Sequence, residues 1–255
     1  MKVFKNINII TCVIIGLSCA GSKINNEISL KDKFNIGLAN LENEKYLQAQ
    51  SDFKYVLMRG TGSDLGDDAQ YFLGEAYFRN EEYLLAVAEY EKLTRKMGFS
   101  PFVEDARFKI CEAYRIESPK YYHDQEYTRK ALERYQEFLD DFPESQISKD
   151  VLFSIGLLRE KLAKKSFETG ILYMKMEEYE SAKISFQIVI DEYYDTPFLI
   201  WSQKEMIKAL SKNREIDNAE SFLLLNKEAL LDENMYDEAK ETIDSMKLLL
   251  SKEQK

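Results

Sequence analysis

Few side chains in this chain are of a kind that does chemistry, and their spacing is wrong for it. The one histidine, His123, precedes Asp124 in a segment that reads as a loop. One imidazole beside one carboxylate makes neither a metal site nor a nucleophile–base–acid constellation, and a solvated turn fits better. Gly60, Gly62 and Gly66 punctuate residues 59–67 in the manner of a phosphate loop. No Gly-Lys-Ser/Thr follows them and acids intervene, so a flexible connection between helices is expected. The acid pairs Asp67-Asp68, Glu81-Glu82, Asp140-Asp141 and Glu177-Glu178 are sequence neighbours. Side chains adjacent on a helix diverge, so such pairs do not converge on one proton. No catalytic residue, metal site or cofactor is expected.

The chemistry that does fit is acylation of a cysteine. Lys2 and Lys5 precede a mostly apolar run from Ile7 to Ser18, followed by Cys19 and then Ala20-Gly21-Ser22-Lys23. A positive start, a short apolar stretch and a small residue before a cysteine form an export signal. The run is shorter than the roughly 20 apolar residues a transmembrane helix needs. Residues 1–18 are expected to be a lipoprotein leader, Cys19 the lipidated residue, and residues 19–28 a linker. Gly16 and Leu17 make a loose box of the spirochaete kind. An ordinary signal peptide, or an uncleaved anchor, with an incidental cysteine is the competing reading. Cys12 leaves with the leader, so Cys111 is the remaining thiol and no intramolecular disulfide is expected. Two or three acyl chains hold a protein to a bilayer durably, at about 0.8 kcal/mol per buried methylene.

The elements that carry such an anchor's cargo repeat along the chain. Twelve residues after Gly37, Gly74 and Gly170 come Ala49, Ala86 and Ala182, and four further come Phe53, Tyr90 and Phe186. Tyr46, Tyr83 and Tyr179 lie three before each alanine, and Tyr77 and Tyr173 three after the second and third glycines. A further unit carries Cys111, Tyr114, Ala131, Tyr135 and Pro143, with eight extra residues between its helices; a weaker fifth centres on Ala219. Gaps of three and four stay on one helix face, so the small residues mark where the two helices of a hairpin cross. One hairpin cannot bury its own apolar stripe, so hairpins stack into a superhelix. Alanine-to-alanine spacings of 37, 45, 51 and 37 leave room for a long helix over about 147–166 that runs into the fourth unit. The architecture expected is all-α: about five hairpins over 29–225, then a capping helix within 226–255 with Tyr236, Ala239, Ile243, Met246 and Leu250 on one stripe.

Bulk composition agrees. The chain is 45% hydrophobic and 31% charged with only 10 glycines and 4 prolines, which suits a folded helical body. Formal net charge is −10; without Lys2 and Lys5, 33 bases face 45 acids. An acidic body repels nucleic-acid phosphates and offers no basic patch for an anionic membrane surface. Attachment to a membrane therefore falls to lipid. In stacks of this kind the first helix of each hairpin lines the concave face. Tyr71, Glu75, Phe78, Phe108, Glu112 and Arg115 are expected there as a peptide-binding groove, although Phe78 and Phe108 fit interhelical core equally well.

The small–Tyr–Ala–aromatic–Pro order resembles the tetratricopeptide repeat, without its usual early Trp. Two stretches narrow the resemblance. One is His123-Asp124-Gln125-Glu126-Tyr127-Thr128-Arg129-Lys130-Ala131, ending Phe142-Pro143-Glu144-Ser145. The other is Leu158-Arg159-Glu160-Lys161-Leu162-Ala163, leading to Gly170 and closing Tyr193-Tyr194-Asp195-Thr196-Pro197. Both look like the BamD family of outer-membrane assembly lipoproteins, over roughly residues 15–225. The resemblance implies a scaffold rather than an enzyme, held at the periplasmic face of the outer membrane. It implies binding to the POTRA domains of a BamA-like barrel protein, mainly through the C-terminal repeats, beside other assembly lipoproteins. It also implies engagement of unfolded outer-membrane proteins by the N-terminal repeats. Tyr194 stands where the family has Pro, and Ser185 where well-studied members have an Arg that meets a POTRA acid, so that ion pair does not carry over. A generic envelope lipoprotein that coordinates cell-wall or division proteins is the alternative, and a small-ligand-binding lipoprotein a third reading.

Overall fold

Ser29 caps the first described helix. Its Oγ accepts the backbone N–H of Asp32 at 3.0 Å, which satisfies one of the orphan donors at a helix start and stabilises it by about 1 kcal/mol. The computed structural model describes residues 28–60 and 63–253; Cys19, the rest of the expected leader and linker up to residue 27, and Gly62 lie outside the described residues. Everything regular among the described residues is helical.

Five antiparallel hairpins follow one another: α1 (Leu30–Glu42) with α2 (Tyr46–Arg59), α3 (Gly66–Arg79) with α4 (Tyr83–Lys96), α5 (Val103–Glu117) with α6 (Glu126–Asp141), α7 (Ser148–Lys175) with α8 (Tyr179–Glu192), and α9 (Phe198–Lys212) with α10 (Ile216–Leu225). Each second helix also packs on the first helix of the next hairpin, so the stack is continuous. α7 is 28 residues long. Its first half packs Val151 and Leu158 against the third hairpin, and its second half brings Gly170 to α8, so it splints the third hairpin to the fourth.

The turns between paired helices are one device used repeatedly. Glu44, Glu81, Glu177, Arg214 and Asn234 each have φ between 58° and 65°. The residue after each donates its N–H to a carbonyl five positions back, for instance Glu82 to Tyr77 at 3.0 Å and Met235 to Leu230 at 2.8 Å. This is the Schellman closure of a helix, with an ordinary L-residue where glycine is usual. The third hairpin lacks it because its longer loop is stitched differently. Gln125, fully buried, donates to the carbonyls of Lys120 at 2.9 Å and His123 at 3.0 Å and accepts from Thr128 at 2.7 Å.

The C-terminal stretch carries the expected capping helix and adds a short helix before it. It is a short α11 (Lys227–Asp232), a turn at Asn234, and then α12 (Tyr236–Glu253). Asn234 sits five residues before Ala239, the interval seen before Ala49, Ala86, Ala182 and Ala219. Ala239 and Ile243 are buried, and α12 packs on α9 and α10. The segment is a sixth hairpin with a truncated first helix.

Candidate functional site

The repeat residues meet as their spacing requires. A Cβ added at Gly37 would lie 2.8 Å from the Phe53 ring; at Gly74, 2.5 Å from Tyr90; at Gly170, 2.5 Å from Phe186. Ala49, Ala86, Ala131 and Ala182 are fully buried, as are Phe53, Tyr90, Tyr135 and Phe186. Cys111 takes the small-residue place in the third hairpin. Burial pushes its thiol far up, so it stays protonated and inert. Tyr77 is buried, while Tyr114 and Tyr173 are half-buried against the same cores.

Two carboxylates belong to this crossing. The Tyr90 hydroxyl donates to Glu75 Oε1 at 2.6 Å, and the Tyr135 hydroxyl donates to Glu112. Each glutamate directly follows the small residue, Gly74 or Cys111, and each faces a Tyr. Where the ring is Phe53 or Phe186, the matching positions are Leu38 and Ile171. A buried phenol needs an acceptor and a buried phenyl does not. Lys109 and Arg79 pair with Glu75 at 3.2 and 3.4 Å, and Arg115 pairs with Glu112 at 2.6 Å. Burial works against the charge on Glu112, but hydrogen bonds from Arg115 and Tyr135 outweigh it and hold its pKa below the usual value.

These contacts correct the expected concave groove. Tyr71 and Glu75 are buried, not exposed: Tyr71 stacks on Phe102 with ring centroids 4.5 Å apart, and Glu75 is the acceptor for Tyr90. Phe78 is half-covered by Tyr83 and Lys109, and Phe108 packs toward Phe138. Glu112 and Arg115 are half-buried and paired to each other. Tyr71 and Glu75 thus serve the packing of α3, α4 and α5, while Phe78, Phe108, Glu112 and Arg115 stay partly exposed at the same crossings.

The two ends of the second family-like stretch touch. Arg159 on α7 grips Asp195 at 2.6–3.0 Å, donates to the Glu192 carbonyl at 2.6 Å and lies 5.6 Å from the centre of the Tyr193 ring. Leu158, Leu162 and Ala163 beside it are buried. The arginine therefore fixes the loop that leads into α9.

Open space lies elsewhere. A cleft of about 520 Å³ runs between α8, α9 and α10, floored by Met206, Leu210 and Phe222 and rimmed by Ile184 and Leu225. Ile184 is 65% exposed and Leu225 80%. Lys183, held between Glu180 and Glu215, supplies charge at its edge. An open, largely apolar trough with a paired charge beside it suits another protein's side chains. Sequence reading missed it, because Ile184 and Leu225 fall on the outward faces of the repeat pattern, where an isolated apolar residue carries no signal. Ser185 is buried with its hydroxyl bonded to the Ser181 carbonyl at 3.0 Å, so it cannot reach a partner. Among the described residues no group of three or more His, Cys, Asp or Glu is placed to hold a metal. No described helix is long and apolar enough to cross a membrane.

Comparison with known proteins adds the family. The sequence model of a family described as an outer membrane lipoprotein, YfiO, matches residues 26–222. No curated protein matches the chain significantly. Among solved structures, the tetratricopeptide domain of P58(IPK) is 15% identical, with 89% of this chain and 67% of that one covered at a TM-score of 0.43. A tetratricopeptide repeat protein from Parabacteroides merdae is 13% identical, with 86% and 92% covered at a TM-score of 0.41.

Proposed function

Since this chain belongs to the YfiO outer membrane lipoprotein family, we propose that it is a scaffold of the machinery that assembles β-barrels in that membrane. The match across residues 26–222, nearly the whole hairpin stack, carries the reading. In it, residues 1–18 direct export, Cys19 carries the lipid, residues 19–28 link anchor to body, and residues 29–225 with their C-terminal extension are the interaction surface. The partner is a barrel protein with POTRA domains, alongside other assembly lipoproteins, and unfolded outer-membrane proteins are its substrates. The periplasmic face of the outer membrane is the site of action.

The cleft between α8 and α10 is the docking position we assign to the POTRA region. It lies in the C-terminal half, and its rim carries the exposed Ile184 and Leu225 beside Lys183. In this reading contact comes mainly from burial of Ile184 and Leu225, at about 1.5–3 kcal/mol for each fully covered side chain. Ile184→Asp with Leu225→Asp is expected to abolish co-purification of the barrel protein while leaving thermal melting intact, since both side chains face water. Wild-type recovery of the barrel protein by that variant would show that the cleft is not the contact. Recovery of cell-wall synthesis proteins by the wild type, with no barrel protein, would replace this reading with that of a general envelope coordinator.

A further inference from the structure

A second cleft, of about 500 Å³, opens where the long α5–α6 loop meets the middle of α7. Its charge is the reverse of the molecule's. The chain carries 45 acids against 35 bases, and several of its lysines find acids: Lys33, Lys109, Lys183 and Lys204 close ion pairs. In this cleft they do not. Lys161 Nζ donates to the Ser118 hydroxyl at 2.8 Å, and Lys164 Nζ lies 4.6 Å from the centre of the Tyr121 ring. Lys120 is exposed at the lip, and Arg115, bound to Glu112, forms the back wall. The single carboxylate lining the space, Glu160, is exposed on the rim.

Lys161 feels the crowding: burial, and then the charge of Arg115, lower its pKa. The attraction of a bound anion would offset both effects. Apolar surface completes the space, with Tyr122 59% and Leu157 50% exposed at its mouth. Ser154, Leu157, Leu158, Lys161 and Lys164 succeed one another at steps of three, one, three and three residues along one side of α7. Cations along a helix with apolar neighbours match an extended segment in which acidic and apolar side chains alternate.

We propose that this cleft binds an acidic peptide segment of a partner protein, its carboxylates on Lys161, Lys164 and Lys120 and its apolar side chains against Tyr122 and Leu157. The site is separate from the α8–α10 cleft and does not depend on it. Electrostatic contact of this kind weakens as salt rises.

Fluorescence anisotropy on the full chain in detergent tests it, with a labelled ten-residue peptide alternating Glu and Leu as probe. A matched peptide with Gln in place of Glu is the control, and glycerol phosphate is the headgroup mimic. The acidic peptide is expected to bind, more weakly in high salt, and the Gln peptide to bind at least tenfold more weakly. Lys161→Gln with Lys164→Gln is expected to cost at least tenfold in affinity. Lys31→Gln with Lys149→Gln, on exposed surface elsewhere, leaves binding unchanged. Since Lys161 also braces Ser118, Lys120→Gln with Lys164→Gln serves as the second variant and should lose affinity without touching that bond. Equal affinity for the Glu and Gln peptides, or wild-type affinity in both cleft variants, would overturn the proposal. So would glycerol phosphate binding lost in the variants with no peptide binding, which would assign the cleft to a lipid headgroup.

Discussion

At Gly74 a methyl group would meet the Tyr90 ring at 2.5 Å, and that ring is fully buried with its hydroxyl tied to Glu75. It has nowhere to move. Ala is favoured over Gly inside a helix by up to about 1 kcal/mol, but overpacking a tight crossing costs about 1–3 kcal/mol. Gly74→Ala is therefore expected to lower stability despite its better helix propensity. Gly156, inside α7 with nothing within 4 Å of its added Cβ, has the propensity term alone, so Gly156→Ala should raise stability by about 0.5–1 kcal/mol. Thermal melting of the two variants decides it: a rise for both would mean the crossing is slack. The three crossing glycines were legible in the sequence because the aromatic sixteen residues on repeats with them. The glutamate–tyrosine pairing has its own signal there: Glu follows the small residue only where the later ring is a Tyr. The burial of Tyr71 and Glu75 has none, because counting from the glycine gives a helical angle and not the covering neighbour, here Phe102 and Tyr90.

The hairpin is the element in which charge and turn geometry combine. At the α9–α10 turn, Arg214 is left-handed and the next residue, Glu215, accepts from Lys183, Asn213 and Asn218. The ammonium of Lys183, and then the two amides, hold the Glu215 carboxyl down at about 2, against an ordinary 4.5. Because the folded value lies below the unfolded one, this contribution is complete above about pH 4.5 and is lost as pH falls toward 2. Glu215→Gln should flatten that part of the acid-unfolding curve and leave the curve's shape near neutrality unchanged. An identical acid limb in wild type and variant would mean the bonds at this turn do not survive in solution. At this scale the sequence spoke clearly for long elements and faintly for short ones. A 28-residue α7 leaves room in the alanine spacing that only a helix fills, whereas the six residues of α11 are too few to show a period, so the truncated hairpin read as one plain helix.

Across the whole molecule, stability passes from neighbour to neighbour, because each hairpin buries its apolar stripe on the next and the cores form successive patches along the stack. The two ends of such a stack need covering. Ser29 and α1 begin it, and α12 closes it by seating Ala239 and Ile243 against α9 and α10, whose Ile207, Leu210, Ala219 and Leu223 share the same core. Deleting residues 226–255 would bare that core to water. The loss should be confined to the C-terminal end, since α1 to α4 share no core with α12. Hydrogen exchange on the truncated chain is expected to show lost protection in α9 and α10, and in α8 to a smaller degree, with α1 to α4 protected as before. Uniform loss along the chain would mean that the stack unfolds as one cooperative unit. Unchanged protection in α9 would make α12 an appendage free to bind a partner. The local outcome matters for the scaffold as well, because the α8–α10 cleft is built on the hairpin that α12 supports, so the same deletion should weaken docking there while leaving the acidic-peptide cleft beside α5 intact.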